Sequence, residues 1–268
     1  MSLYTDLIKR VLIGSIYQDP PMDPWSKGQP YSELKRRTGQ DWPSQSHTMV
    51  GLERLNNIER LLGWVLDNVE GDLCETGVWR GGCCIFMQAI LKERSNGDTP
   101  SRLIFACDSY EGLPPPDLFR YPQDAGDQHS TFEQLKVSSD EVEANFRRYN
   151  LWDENVWLVK GFFHDTLPAM IERFNPRLAL LRLDGDMYGS TMDALVNLYP
   201  RLNEYGYVIV DDYGILPQCR QAVDDYLKQN NIEVTIRPID HSGVYFQKPR
   251  DNGASSEADR PSVPKVET

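Results

Sequence analysis

The chain has 268 residues, 40% apolar and 25% charged, the balance of a soluble globular protein with a sizeable core and no overall tendency to disorder. Its 28 basic and 40 acidic residues leave a formal net charge of -12, which repels phosphate backbones and anionic bilayers, so neither nucleic acid nor a membrane is the expected partner. Five cysteines (Cys74, Cys83, Cys84, Cys107 and Cys219) form no CxxC pair and no zinc spacing, which reads as reduced thiols in a cytoplasmic protein.

The apolar residues Leu3, Leu7, Val11 and Ile16, with Ile8 and Leu12 beside them, recur near helical period and predict an amphipathic helix ending around Tyr17. Asp6, Lys9 and Arg10 interrupt that run, so it resembles neither a secretory leader nor a membrane span. From Asp19 to Pro43 five prolines block regular structure and mark an irregular arm. Leu52, Leu55, Ile58, Leu62, Val65 and Leu66 then give a second helical stripe, over 50–69.

Short β-rich runs follow at 73–75, 103–107, 156–159, 178–183 and 207–210, apolar on both faces as buried parallel strands are. The stretches near 82–93, 139–149 and 191–202 have the length and composition of crossover helices. VTIRPI (234–239) and GVYFQK (243–248) predict a terminal antiparallel hairpin. The expected architecture is one doubly wound, mostly parallel α/β domain over 50–249, preceded by a helix and arm over 1–49 and followed by a disordered tail over 250–268.

Ligands of open parallel sheets bind outside the carboxyl ends of the strands, so the residues after each run carry the functional signal. The first run leads into Glu75-Thr-Gly77-Val-Trp-Arg-Gly81-Gly82, a glycine turn opening a helix. That spacing is not the GxGxxG of dinucleotide binders, and the acid ahead of it suits a cofactor carrying an ammonium group. The second run ends in Asp108, with Ser109 beside it; an acid there either accepts the two hydroxyls of a ribose or caps the turn. The fourth ends in Asp184-Gly-Asp186 and the fifth in Asp211-Asp212. Carboxylates converging from neighbouring strand ends share protons, pair with Arg182 or Arg220, or bind a hard cation such as Mg²⁺, Mn²⁺ or Ca²⁺.

The runs at 48–55, Glu75 to Gly82, Asp108-Ser-Tyr-Glu-Gly-Leu-Pro114, Leu183-Asp-Gly-Asp-Met-Tyr188 and Val210-Asp-Asp-Tyr213 resemble the macrocin O-methyltransferase family, in order and at near-family spacing from about Leu3 to Phe246. Members of that family methylate sugar hydroxyls of macrolide and aminocoumarin natural products. The resemblance implies a seven-stranded methyltransferase sheet related to that of catechol O-methyltransferase, S-adenosylmethionine and Mg²⁺ as cofactors, a homo-oligomer, and a mobile lid over 110–135. By position it makes Asp184, Asp211 and Asp212 the metal ligands. It sets Glu75 and Gly77 in the cofactor turn, Asp108 at the ribose, and Thr48 with Met49 beside the methionine portion.

The expected reaction is methyl transfer to a sugar hydroxyl, with a catechol-like vicinal diol as the alternative acceptor. Asp184 is the candidate base as well as a ligand, and His129 in the lid is the competing base. His164 and Asp165 follow the third strand near the expected adenine, where Phe162 or Phe163 would stack. Tyr110, Tyr188 and Tyr213 either line the acceptor pocket or close its rim, Trp79 and Trp157 read as packing, and the role of Asp186 stays open. Two other classes remain. The Asp184-Gly-Asp186 string has the DxD form of a metal-dependent glycosyltransferase, and a non-catalytic protein that binds S-adenosylmethionine would need no Asp212.

Overall fold

Residues along each central strand alternate between two hydrophobic clusters. Leu73, Ile104, Ala106, Leu180, Tyr207 and Ile209 enter one, and Cys74, Phe105, Cys107, Leu181, Val208 and Val210 enter the other. A sheet apolar on both faces has to be covered on both, and the computed structural model, which describes residues 2–250, shows how this is done. Helices α1 (Leu3–Leu12), α3 (Leu52–Asn68), α4 (Gly82–Arg94) and α5 (Ser139–Arg148) contribute to the first cluster. Helices α6 (Phe163–Phe174), α7 (Tyr188–Leu198) and α8 (Pro217–Gln229) contribute to the second.

The strands are β1 (Asp72–Thr76), β2 (Ile104–Asp108), β3 (Val156–Lys160), β4 (Leu178–Leu183), β5 (Leu202–Val210), β6 (Arg237–Pro238) and β7 (Val244–Gln247), in the order β3-β2-β1-β4-β5-β7-β6. All pairs from β3 to β5 are parallel, and β7 runs antiparallel between β5 and β6. This is the expected doubly wound α/β sheet. The hairpin is shorter than expected on its first arm, where only Arg237 and Pro238 pair. Strand order reverses between β1 and β4, the place where such sheets leave a crevice at the carboxyl ends.

The first helix stops at Leu12 rather than Tyr17, because Gly14 turns the chain with φ 71°. The arm includes one short helix, α2 (Glu33–Thr38), capped by Ser32 and ended by Gly39. It folds back on itself through a bridge between Pro21 and Pro43. Buried Asp19 accepts hydrogen bonds from the backbone of Gln45 and Ser46, at 2.9 and 2.8 Å, and so fixes the arm's return. No helix among the described residues is long and apolar enough to cross a membrane. The expected tail lies, from residue 251 onward, outside the described residues.

Candidate active site

A cavity of about 470 Å³ opens over the carboxyl ends of β1, β2, β4 and β5, walled by the arm on one side and by segment 110–135 on another. β1 delivers Glu75, 1% exposed, whose Oε1 pairs with Arg182 and whose Oε2 accepts the Cys84 thiol at 2.7 Å. Burial pushes this carboxyl up to about 7 despite the pull of Arg182. Gly77 follows at φ 84°, and a Cβ there would stand 1.6 Å from the backbone oxygen of Asp184. Only glycine allows the first strand end to lie this close to the fourth.

Asp108 faces the cavity with its carboxylate already engaged. Oδ2 accepts the N–H groups of Val78 (2.7 Å) and Trp79 (3.3 Å), and Oδ1 accepts that of Tyr110 (2.8 Å). It therefore caps the glycine turn. The Ser109 hydroxyl lies 3.4 Å from Oδ1, too long for a strong bond. Thr48, Met49 and Ser109 also line the cavity.

Asp165 does not. It stands in the first turn of α6 with its side chain 74% exposed, paired to His164 at 3.1 Å. The rings just before it, Phe162 and Phe163, face the cavity instead.

The acidic cluster divides in two. Asp211 is locked by arginines: Oδ1 pairs with Arg182, and Oδ2 pairs with Arg54 of α3, which also holds Asp240 at 3.0 Å. Burial alone would raise its pKa, but the two guanidinium groups bring it below the usual carboxylate value. Asp184, Asp186 and Asp212 instead gather so that one oxygen of each lies within 4.8 Å of the others.

Of the expected ligand trio, Asp184 and Asp212 lie in this group together with Asp186, whereas both Asp211 oxygens are paired with arginines. Asp186 is turned into the group by a left-handed backbone, φ 57°. Burial and then the neighbouring carboxylates raise Asp212, while burial and Asp184 push Asp186 up to about 7. Asp184 is raised as well, by burial and by Asp211, although Arg182 holds its Oδ2 at 2.8 Å. That ion pair weakens the case for Asp184 as the base.

His129 lines the cavity with Nδ1 2.7 Å from Asp127, a bond that raises its pKa above 6.5. The Asp127 carboxylate can only accept, so the Nδ1 proton points to it and Nε2 faces away from it. Tyr110, Tyr188 and Tyr213 do not line the pocket. Their hydroxyls are bonded to Ala106 O, Asp225 and Asp224 at 2.8, 3.1 and 2.8 Å, which makes them rim and core residues.

Trp79, expected to be packing, is a wall residue whose Nε1 donates to the Gln134 carbonyl at 2.9 Å. Trp25 and Trp42 carry no signal in the sequence beyond their place in the irregular arm. They also form wall, edge to face at 4.8 Å, and Trp42 meets Phe132 at 5.8 Å.

A nucleotide-sugar site needs cations for a diphosphate. Both arginines that line the cavity, Arg54 and Arg182, are committed to carboxylates. The turn from Glu75 to Gly77, idle in the glycosyltransferase reading, forms part of the cavity wall.

The geometry agrees with what the chain is similar to. A demethyldecarbamoylnovobiocin O-methyltransferase of Streptomyces niveus is 45% identical over 93% of this chain and 94% of that protein. A 4'-O-methyltransferase of 8-demethyl-8-(2,3-dimethoxy-alpha-L-rhamnosyl)-tetracenomycin-C, from Streptomyces olivaceus, is 45% identical over 97% of each chain. The solved structure of the O-methyltransferase NovP superposes with a TM-score of 0.85 at 43% identity, covering 92% of this chain and 99% of that one. The family model for macrocin O-methyltransferase (TylF) matches residues 1–248. The chain is therefore an O-methyltransferase of class I fold and belongs to the macrocin O-methyltransferase family.

Proposed function

We propose that the protein transfers a methyl group from S-adenosylmethionine to a sugar hydroxyl of a glycosylated natural product, assisted by Mg²⁺. The carrying observation is the convergence of Asp184, Asp186 and Asp212, with the Asp212 Oδ2 buried and without a hydrogen-bond partner. An orphaned buried carboxylate oxygen is costly, and an all-oxygen donor set suits a hard divalent cation, so these residues fit the group. The acceptor class is supported by the relatives, one of which is a 4'-O-methyltransferase of a rhamnosyl-bearing tetracenomycin.

Asp184 and Asp212 would hold the cation. When bound, it would supply Lewis acidity to the acceptor hydroxyl, and the sulfonium would supply the methyl group for an in-line displacement. Asp186, on which no arginine lies among the described residues, would take the proton. Glu75 would meet the donor's ammonium group. The Gly77 backbone would approach the donor closely, and Asp108 would exchange its weak Ser109 contact for a ribose hydroxyl. Phe162 and Phe163 give the adenine an apolar surface, while Thr48 and Met49 bound the methionine end. His129, oriented by Asp127, would favour the ionised form of Asp186 when protonated.

Calorimetry and turnover test the assignment together. Asp212→Asn should lose magnesium binding and methyl transfer while keeping S-adenosylmethionine affinity within about tenfold. Asp186→Asn should bind magnesium yet turn over at least about a hundredfold more slowly. Undiminished turnover in excess chelator would remove the cation from the reaction. Magnesium binding that depends on Asp211 and not on Asp212 would reassign the ligands.

A further inference from the structure

The start of helix α7 lacks a cap of its own. Met187 precedes it and supplies no side-chain hydrogen bond, yet the first N–H groups of any helix need acceptors. The acceptor comes from 64 residues earlier in the chain, in segment 110–135. Asp124 is 1% exposed and ends the single-turn 3-10 helix Pro122–Asp124. Its Oδ1 accepts Tyr188 N–H at 2.7 Å, and its Oδ2 accepts Gly189 N–H at 2.9 Å. A carboxylate at this end of a helix also meets the positive pole of its dipole.

Neighbouring side chains enforce the same docking. A Cβ on Gly189 would stand 2.5 Å from the Tyr121 ring, so the ring lies directly on the bare helix backbone. The Tyr121 hydroxyl then bonds Asp193, one turn further on, at 2.6 Å. The helix these groups clasp begins two residues after Asp186, and Met187 N–H closes the Asp184-Gly185-Asp186 loop onto Gly185 O at 2.6 Å.

We propose that Asp124 is a positioning residue. Its carboxylate reaches α7 only while segment 110–135 lies over the cavity, and by completing the helix start it fixes the loop that carries Asp184 and Asp186. Covering the cavity and setting the carboxylates are then one event. The activity arm of the test rests on the methyl-transfer reading; the structural arm does not.

Hydrogen exchange followed by mass spectrometry on the full chain supplies the structural arm. In Asp124→Ala, peptides spanning 185–191 and 117–135 should both exchange roughly fivefold faster or more, as expected for loss of a cap, while β1, β4 and β5 keep wild-type protection. Asp124→Asn retains one acceptor oxygen and should fall between the two, which keeps the test alive if the alanine variant folds poorly.

In the activity arm, kcat should fall and the acceptor KM rise in Asp124→Ala, with partial rescue in Asp124→Asn. Affinity for S-adenosylhomocysteine, measured by calorimetry, should stay unchanged. Faster exchange in 117–135 with 185–191 untouched, or wild-type kcat in Asp124→Ala, would overturn the proposal. A wild-type protein inactive on every sugar acceptor would sink the methyl-transfer reading and leave the exchange result to decide this one.

Discussion

Gly77 shows how little latitude the site has. Its φ of 84° and the Asp184 carbonyl 1.6 Å from where a Cβ would be make alanine unacceptable on two separate grounds. Gly77→Ala should cost more than about 2 kcal/mol of stability and displace Asp184, read as a lowered denaturant midpoint together with loss of magnesium binding. Arg182 is the other pivotal residue. At 1% exposure it pairs with Glu75, Asp184 and Asp211 at once. Replacing it with methionine leaves Glu75 and Asp184 without their counter-charge and Asp211 with Arg54 alone, and the expected loss is about 3–5 kcal/mol, measured by urea denaturation. At this scale the sequence revealed that carboxylates converge but not how they divide. Asp211 and Asp212 are adjacent in the chain, and only the fold brings Arg54, 157 residues away, onto the first of them.

Among the elements, the strands were the most legible, since each buried run ends at a residue that bears chemistry. Leu178–Leu183 is observed with the expected bounds. The sequence reading named no helix over 163–174 or 217–229. The first carries Pro168 in its interior, which masks the pattern, and its stability comes from packing Leu167 and Met170 under the sheet. The arm was legible as irregular but not as a wall. Its prolines announce an absence of regular structure, whereas its position depends on tertiary bonds, among them Arg80 donating to the carbonyls of Pro43, Ser44 and Ser46 at 3.1, 3.1 and 3.0 Å. Because Trp42 joins the arm's Trp25 to the Phe132 ring, Trp42→Ala should raise the acceptor KM about tenfold and leave donor affinity unchanged, a split that steady-state kinetics resolves.

For the molecule as a whole, acid stability should depend in part on one histidine where the arm meets the end of α5. His47 bonds Tyr149 of the opposite segment at 2.7 Å. Burial, reinforced by Arg148 and Arg80, lowers its pKa from 6.5 to about 4. A folded pKa below the unfolded one means that the unfolded chain binds the extra proton. The stabilising contribution is therefore complete above pH 6.5 and is lost as pH falls from 6.5 toward 4. His47→Gln should flatten the thermal midpoint across that window relative to wild type and leave it little changed at pH 7.5. The doubly wound architecture was legible at this scale because a sheet buried on both faces leaves so clear a record in apolar runs. Of the cavity's enclosure, the resemblance implied the share of segment 110–135, but the arm's share was not legible, since it depends on segments far apart in the chain meeting over the strand ends.

Trp25 stands at the boundary of that enclosure with 60% of its surface exposed. On the proposed reading, a chamber of about 470 Å³ must house both the donor and the reacting ring, so the bulk of a large antibiotic projects outward past this indole. Selection would then act on the inserted end and its linkage. Congeners that differ only in their distal framework should be methylated at the same hydroxyl and at comparable rates, which makes the enzyme a tool for tailoring many scaffolds that share one terminal sugar.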